Sequence, residues 1–323
     1  MGYGQQGHIG ISFQQTFGVQ FVSSMHYFPF VSESINESIA ELASENLSSR
    51  LDEPDAYEGM HEIAGDVVMD IHPTLIGKLF KAWSGQASLT EIASTGTFNQ
   101  HIFTPRQDDW IDEVCALPPM SIEVYRDTGS AYLYYDMLLN QLALEIAQGA
   151  IYKCTASFIG AHFAWLAKST TSYHTGSYFA WDVVSVSLAG TGVSDVSQLT
   201  VTCNNNLAAK SYLNLQKYAG RILRDGFRTV EVAGTMLLNG DTQARAYRAR
   251  TQQRLVITAT DPTTLFASHT EMVIDVPKMV YTEFPANIGG PGLIEVGFSG
   301  KGKYDATSGY AVQFSLKNVS PAY

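Results

Sequence analysis

Glu62-Ile-Ala-Gly-Asp-Val-Val-Met-Asp-Ile71 decides how this chain reads, because it returns in altered form as Glu231-Val-Ala-Gly-Thr-Met-Leu-Leu-Asn239. Each stretch sets apolar beside polar residues around a glycine, the pattern of half-buried strands. Each then runs into a helical segment. Pro73 to Trp83 follows the first, with proline at the first turn, and Asp241 to Arg250 follows the second, opened by an aspartate. Both therefore read strand, glycine, strand, helix. Further along, Gly149-Ala-Ile-Tyr-Lys-Cys-Thr-Ala-Ser157 is echoed by Gly292-Leu-Ile-Glu-Val-Gly-Phe-Ser299. The order is kept but the spacing is not: 87 residues separate Glu62 from Gly149, and 61 separate Glu231 from Gly292. A duplicated unit with an insertion in its first copy accounts for both facts, and chance likeness of short β patterns is the competing account.

Strand signals dominate the rest of the chain. They include Ser121–Tyr125, Gln141–Ile146, Asp182–Leu188, Gln198–Thr202, Thr229–Ala233, Arg254–Thr258 and Ala311–Leu316, most of them bounded by Gly, Pro or Asn. The expected fold is mainly β: two tandem β-sandwich or barrel-like domains, each with a short flanking helix. The stretch Ala161 to Ala180, rich in Ser, Thr, His, Gly and aromatics, is the expected connector. It sets the domains at residues 1–165, with an N-terminal arm, and 166–323. Gly2 to Gly7 reads as a flexible arm, and the Gly- and Gln-rich character of Met1 to Phe17 leaves open whether that stretch orders only on assembly.

The 323 residues exceed the size at which one core stops growing, which agrees with two domains. Charged residues make up only 16% against roughly 25% in ordinary soluble domains, so much uncharged surface is left to be covered, most simply by copies of the chain. A net charge of −11 argues against tight binding of nucleic acid. Cys115, Cys154 and Cys203 are odd in number and widely spaced, and read as reduced thiols. The N-terminus lacks the basic and apolar regions of an export signal, and no apolar run is long enough for a membrane helix.

Catalytic and ligand motifs are not found. Gly2-Tyr-Gly-Gln-Gln-Gly7 spells G-x-G-x-x-G, but no strand precedes it, and Gly300-Lys301 lacks the rest of a phosphate loop. The eight histidines show no paired metal spacing. Asp108, Asp109, Asp112 and Glu113 form a dense acidic cluster without calcium-loop spacing, and read as a solvated loop. Tyr132, Tyr134 and Tyr135 read as packed strand residues rather than a base-stacking platform.

Taken as an ordered set, Tyr27-Phe-Pro-Phe-Val-Ser-Glu-Ser-Ile35, the Ala64-Gly-Asp-Val step leading to His72-Pro-Thr-Leu-Ile-Gly-Lys-Leu-Phe80, Arg221 through Thr235, Leu293-Ile-Glu-Val-Gly-Phe298 and Val312 through Asn318 resemble phage tail tube proteins with duplicated tube domains. The resemblance runs from about residue 20 to the end. It implies a structural virion protein of the tail, assembled in the host cytoplasm. Its trimeric, pseudo-hexameric rings would stack into a tube whose inner sheets, joined across subunits, line the channel for DNA delivery. It implies no enzyme activity, no cofactor and no metal. The implied partners are further copies of the chain, tape measure, tail terminator and baseplate or tail-tip proteins, and DNA in transient passage, with no membrane contact. Another virion or contractile-machine β-sandwich, an inner tube or decoration protein, is the alternative; a carbohydrate-binding module, with Trp110, Trp165 and Trp181 lining a groove, is a further one.

In such proteins the loop before each Glu-x-Ala-Gly step reaches toward a neighbour. Here the two loops carry opposite charge. Residues 33–58 hold Glu33, Glu37, Glu41, Glu45, Asp52, Glu53, Asp55 and Glu58 against Arg50, while residues 210–228 hold Lys210, Lys217, Arg221, Arg224 and Arg228 against Asp225. If helical, Glu37, Glu41 and Glu45 would repel one another. Glu37, Glu41, Glu45, Asp52 and Glu53 are therefore the candidate inter-subunit partners of Lys210, Lys217, Arg221, Arg224 and Arg228, setting register. The remaining carboxylates are expected to line the channel, so that phosphate is repelled.

Overall fold

Seventeen residues of nearly unbroken β-forming sequence, Ala131–Ala147, form the strand on which the architecture turns. The computed structural model describes residues 2–46, 51–52, 55–86, 88–91, 98–107, 117–173, 176–265, 268–288 and 290–323, with backbone only at 88–91, 263–265 and 268. The first part of Ala131–Ala147 pairs with Met120–Tyr125 and His162–Leu166. Its second part pairs with Lys153–Gly160 and Val196–Asn204. It thus belongs to two layers, whose inner faces meet in one apolar core that includes Ile11, Ile122, Val67 and Phe158.

Among the described residues all ladders are antiparallel. The large sheet runs Asn36–Ala43, Ala56–Asp70, Lys153–Gly160, 138–147, Val196–Asn204, Thr229–Leu237, Glu295–Gly302 and Ser268–Glu283. One covering layer is His26–Phe28, His8–Phe13, Met120–Tyr125, 131–137 and His162–Leu166. The other is Thr191–Val193, Val184–Leu188, Gln253–Leu265, Ser268–Glu283, Gln313–Asn318, Asn99–Phe103 and Ser88–Glu91. The fold is mainly β, as the strand pattern predicts.

The two halves of the chain repeat one pairing pattern. In the first, 8–13 pairs with 26–28 and 120–125, 131–147 with 120–125, 153–160 and 162–166, and 56–70 with 153–160 and 36–43. In the second, 184–188 pairs with 191–193 and 253–265, 268–283 with 253–265, 295–302 and 313–318, and 229–237 with 295–302 and 196–204. Even the irregularities recur. The registers slip beside Met137 and Met279, and again between 139 and 141 in one half and 281 and 283 in the other.

The Glu-x-Ala-Gly steps differ from expectation in one respect, since each lies inside an unbroken strand rather than between two. The glycine is there for close approach. A Cβ on Gly65 would lie 2.4 Å from Ile35 Cα, and one on Gly234 would lie 2.6 Å from the Gln198 carbonyl oxygen. The first collision is with the 34–35 link between Ser32–Glu33 and Asn36–Ala43, the second with the neighbouring strand. Gly65 and Gly234 also face Phe158 and Phe298, which shifts the expected Gly149 and Gly292 echo by three residues.

Two helices form where expected. Helix α1, Ile76–Ser84, is closed by Gly85 at φ 83° and is buried through Leu79, Phe80 and Trp83. Helix α2, Thr242–Arg248, buries only Ala246, and Arg245 reaches back to Asp241 at 2.6 Å. The arginine-rich composition of α2 thus follows from its exposure. Between α1 and Met120 the chain adds Ser88–Glu91 and Asn99–Phe103, whereas α2 is soon followed by Gln253. Asn99–Phe103 crosses to pair with Gln313–Asn318, and Phe80 stacks on Phe314 at 4.3 Å. A single apolar cluster extends from Ile9 to Leu316 across the expected boundary at 165/166.

Three local features add to the sequence reading. Beyond Gly7 the N-terminal segment forms a strand, His8–Phe13, buried on both faces between 26–28 and 120–125. Within the expected connector 161–180, His162–Leu166 is a strand. The acidic segment forms a hairpin of Asn36–Ala43 with 56–63, so Glu37 and Glu41 lie on a strand and not on one helix face. Cys154 and Cys203 are free and buried, their thiol pKa values raised by burial; Cys115 lies outside the described residues.

Candidate functional site

Strand alternation gives the large sheet one apolar and one polar face. Inward point Val67, Met69, Leu142, Leu144, Cys154, Ala156, Val201, Cys203, Val230 and Val232, all buried. Outward point small and polar residues, Thr155, Ser157, Ala143, Gln141, Thr200, Thr202, Asn204, Ala233 and Ser299 among them. On the same face Glu62, Asp66, Asp70, Glu145, Glu231 and Glu295 outnumber Lys153 and Lys301. Lys153 sits across from Asp70 on one side and Glu145 on the other, and Lys301 Nζ lies 3.3 Å from Glu231. Gln198 donates to Glu145 at 3.1 Å, and Asn204 to Gln141 at 3.2 Å across the two halves. The result, among the described residues, is a net acidic face, of which Gln198 and Glu295 border an open groove.

At one end of this sheet the acidic hairpin projects with Ile39, Leu42, Tyr57 and Met60 exposed, Tyr57 at 71%. Glu41 stands directly opposite Glu58, and Glu45 and Asp52 lie exposed toward the tip. Glu53, with Arg50, is outside the described residues. Glu37 contacts His61 Nδ1 at 2.7 Å, and Glu58 contacts His61 Nε2 at 2.7 Å.

The basic segment is also a hairpin, Leu207–Lys210 paired with Arg221–Arg224. Its charges divide by role. Lys210 is bound to Asp225 at 2.8 Å within the hairpin, and Lys217 forms an ion pair with Glu58 of the acidic hairpin. Arg221 is exposed. Arg224 and Arg228 are spent inside the chain: both donate to the Asn205 side-chain oxygen, at 3.1 and 2.9 Å, and Arg228 lies over the Trp83 ring at 5.3 Å. Asn205 is fully buried and donates in turn to the Trp83 and Leu139 carbonyls at 3.1 Å. The acidic and basic hairpins thus meet within one chain at Lys217 and Glu58, a carboxylate outside the five expected acidic partners.

Sequence reading missed Asn205, His61 and two buried polar clusters within the first covering layer. His8 contacts Glu123 at 3.0 Å with both side chains buried. Asp136 receives Gln14 at 3.0 Å, the Gly18 amide at 2.8 Å and His162 at 2.6 Å. Their members lie far apart in the chain, so no local spacing announces them. Tyr134 is buried strand packing as expected, while Arg126 stacks on Tyr132 at 4.5 Å. Trp181 borders an open groove with Val184, Val186, Asp195, Leu293 and Glu295; Trp165 lies elsewhere, against Tyr132 and Phe163. Trp110 and the Asp108–Glu113 cluster lie outside the described residues.

No curated protein matches the chain. A family model described as phage tail tube protein matches residues 4–302.

Proposed function

The chain belongs to the phage tail tube protein family and is a structural component of the tail, and from that premise we propose that it is a duplicated tube subunit, three copies of which close into a pseudo-hexameric ring. Rings then stack, and the acidic face of the large sheet becomes the wall of the DNA channel.

The observation that carries this reading is the seam between 131–147 and 196–204. There the last strand of one four-strand set receives the first strand of the next. The matching strands at the two ends of the large sheet are 36–43 and the 280–283 end of 268–283. Among the described residues, each of these has a strand partner on one edge only. Open edges of this kind invite a further strand. If the end of one copy takes the start of the next as 131–147 takes 196–204, the contact is head-to-tail, and such contacts form rings when the rotation closes. The exposed apolar residues of the acidic hairpin, beside that edge, support burial against another copy. Glu41, Glu45, Asp52 and Glu53 then meet Lys210 and Arg221 of a neighbouring copy, fixing register within or between rings. Tape measure, terminator and baseplate proteins would meet the ends of the stack.

Cysteine placement tests the seam. Ser38→Cys, combined in turn with Cys at Glu283, Ala286, Asn287 or Ile288, is expected to cross-link purified assemblies into closed trimers for at least one partner. Rings seen by electron microscopy with no cross-link in any combination reject the seam but keep the ring. Monomers that never assemble, alone or with an initiator complex, reject the ring.

A further inference from the structure

His61 is enclosed by charge on both sides. Nδ1 and Nε2 each lie 2.7 Å from a glutamate oxygen, Glu37 Oε1 and Glu58 Oε1, and the residue is 8% exposed. A carboxylate only accepts hydrogen bonds, and a neutral imidazole carries a single N–H. Two short contacts to two carboxylates are therefore satisfied together only by the doubly protonated ring.

The same residue ties the acidic hairpin to the basic one. The His61 amide donates to the Lys217 carbonyl at 3.0 Å, and Lys217 Nζ pairs with Glu58. Tyr218 packs its ring 4.7 Å from the imidazole, and its hydroxyl donates to Glu37. Both ring contacts of His61 lie within the acidic hairpin, but the two carboxylates it holds are the ones that reach the other half of the chain, Glu37 at Tyr218 and Glu58 at Lys217. Beyond Tyr218 stand His162, 5.2 Å away ring to ring, bound to Asp136, and Tyr135 stacked on His162.

We propose that protonated His61 is a latch that holds the acidic hairpin against the 211–220 loop, and that losing its proton frees the two hairpins from each other. Without the proton, one glutamate faces a nitrogen lone pair and the two carboxylates lose the cation between them. The ring is held protonated to a higher pH than an ordinary histidine, chiefly by its bond to Glu37 and also by Glu58. The latch is therefore fully closed below about pH 6.5, the ordinary histidine value, and opens as pH rises through the raised one.

Hydrogen exchange of the full chain, corrected for intrinsic pH dependence, reads the latch directly. Protection at 56–63 and 211–220 is expected to fall about tenfold for each unit by which the folded pKa exceeds the ordinary one, with a midpoint matching the His61 ring titration by NMR. His61→Gln is expected to lack the step and to show low protection throughout. His162→Gln is expected to keep the step, because His162 answers to Asp136. A step that survives in His61→Gln, constant wild-type protection through the ring titration, or a ring pKa at or below 6.5 overturns the latch. Should His61→Gln fail to fold, the wild-type ring titration and exchange decide alone.

Discussion

At Gly65 and Gly234 the chain lets neighbouring segments approach closer than any side chain allows. A methyl at Gly65 meets Ile35 backbone at 2.4 Å, so Gly65→Ala must push the 34–35 link away from its strand; at Gly234 the obstacles are the Gln198 carbonyl and the Phe298 ring, 2.8 Å away. Each alanine is expected to cost about 1–3 kcal/mol, the usual range for overpacking. Gly297, with open space around it, should accept alanine within about 0.5 kcal/mol. Guanidinium unfolding of the three variants checks the contrast, and equal midpoints would refute it. Tyr323 is the complementary case. Its ring fills the space over Gly77, and its hydroxyl donates to the Thr74 carbonyl at 2.7 Å. Tyr323→Ala empties that space and should lower stability by about 2 kcal/mol, less than truncation of a fully buried aromatic, because the residue is half-buried. The glycines were visible in the sequence as a recurring step, but their reason was not, because the colliding atoms belong to segments tens of residues away.

Among elements, the two charged hairpins show how composition and role separate. Sequence reading groups Lys210, Lys217, Arg221, Arg224 and Arg228 as one basic patch. Folding assigns Arg224 and Arg228 to Asn205 beneath the surface and leaves Arg221 on it. Arg224→Glu should therefore destabilise the isolated chain, by about 2 kcal/mol or more, since hydrogen bonds to charged groups are lost and a carboxylate faces the Asn205 oxygens. Arg221→Glu, at an exposed position, should cost the isolated chain less than Arg224→Glu, yet weaken assembly and its salt dependence. Thermal melts and sedimentation at two salt concentrations separate the outcomes. If Arg221→Glu assembles as the wild type does, the inter-copy charge pairing is wrong. The hairpin nature of 36–63 was illegible because glutamates occupy both faces of Asn36–Ala43, so the two-residue period that marks a strand is lost there.

For the whole molecule, the decisive feature is one sheet that passes through both halves with its carboxylates on a single face. Lysines at Glu62, Asp66, Glu145 and Glu231 should leave subunit contacts in place, because these side chains point away from the core. They should also turn the assembled tube into a binder of short duplex DNA, with affinity falling by about 0.9 log units per log of salt for each phosphate neutralised. Fluorescence anisotropy at several salt concentrations reads this, and tubes that still ignore DNA would place the face away from the channel.

The sequence by itself determined the strand-rich class, both helices and the recurring Glu-x-Ala-Gly steps, because these depend on two-residue and four-residue periods and on proline and glycine, all local. It also supplied the family, through an ordered set of segments that survives changes of spacing. Tertiary structure alone decided that His8–Phe13 lies inside a layer, that the halves share one core and one sheet, and which charges remain at the surface. Those outcomes depend on which strands become neighbours. Pairing joins residues such as Glu145 and Thr200, or Lys217 and Glu58, whose separation along the chain carries no periodic signal.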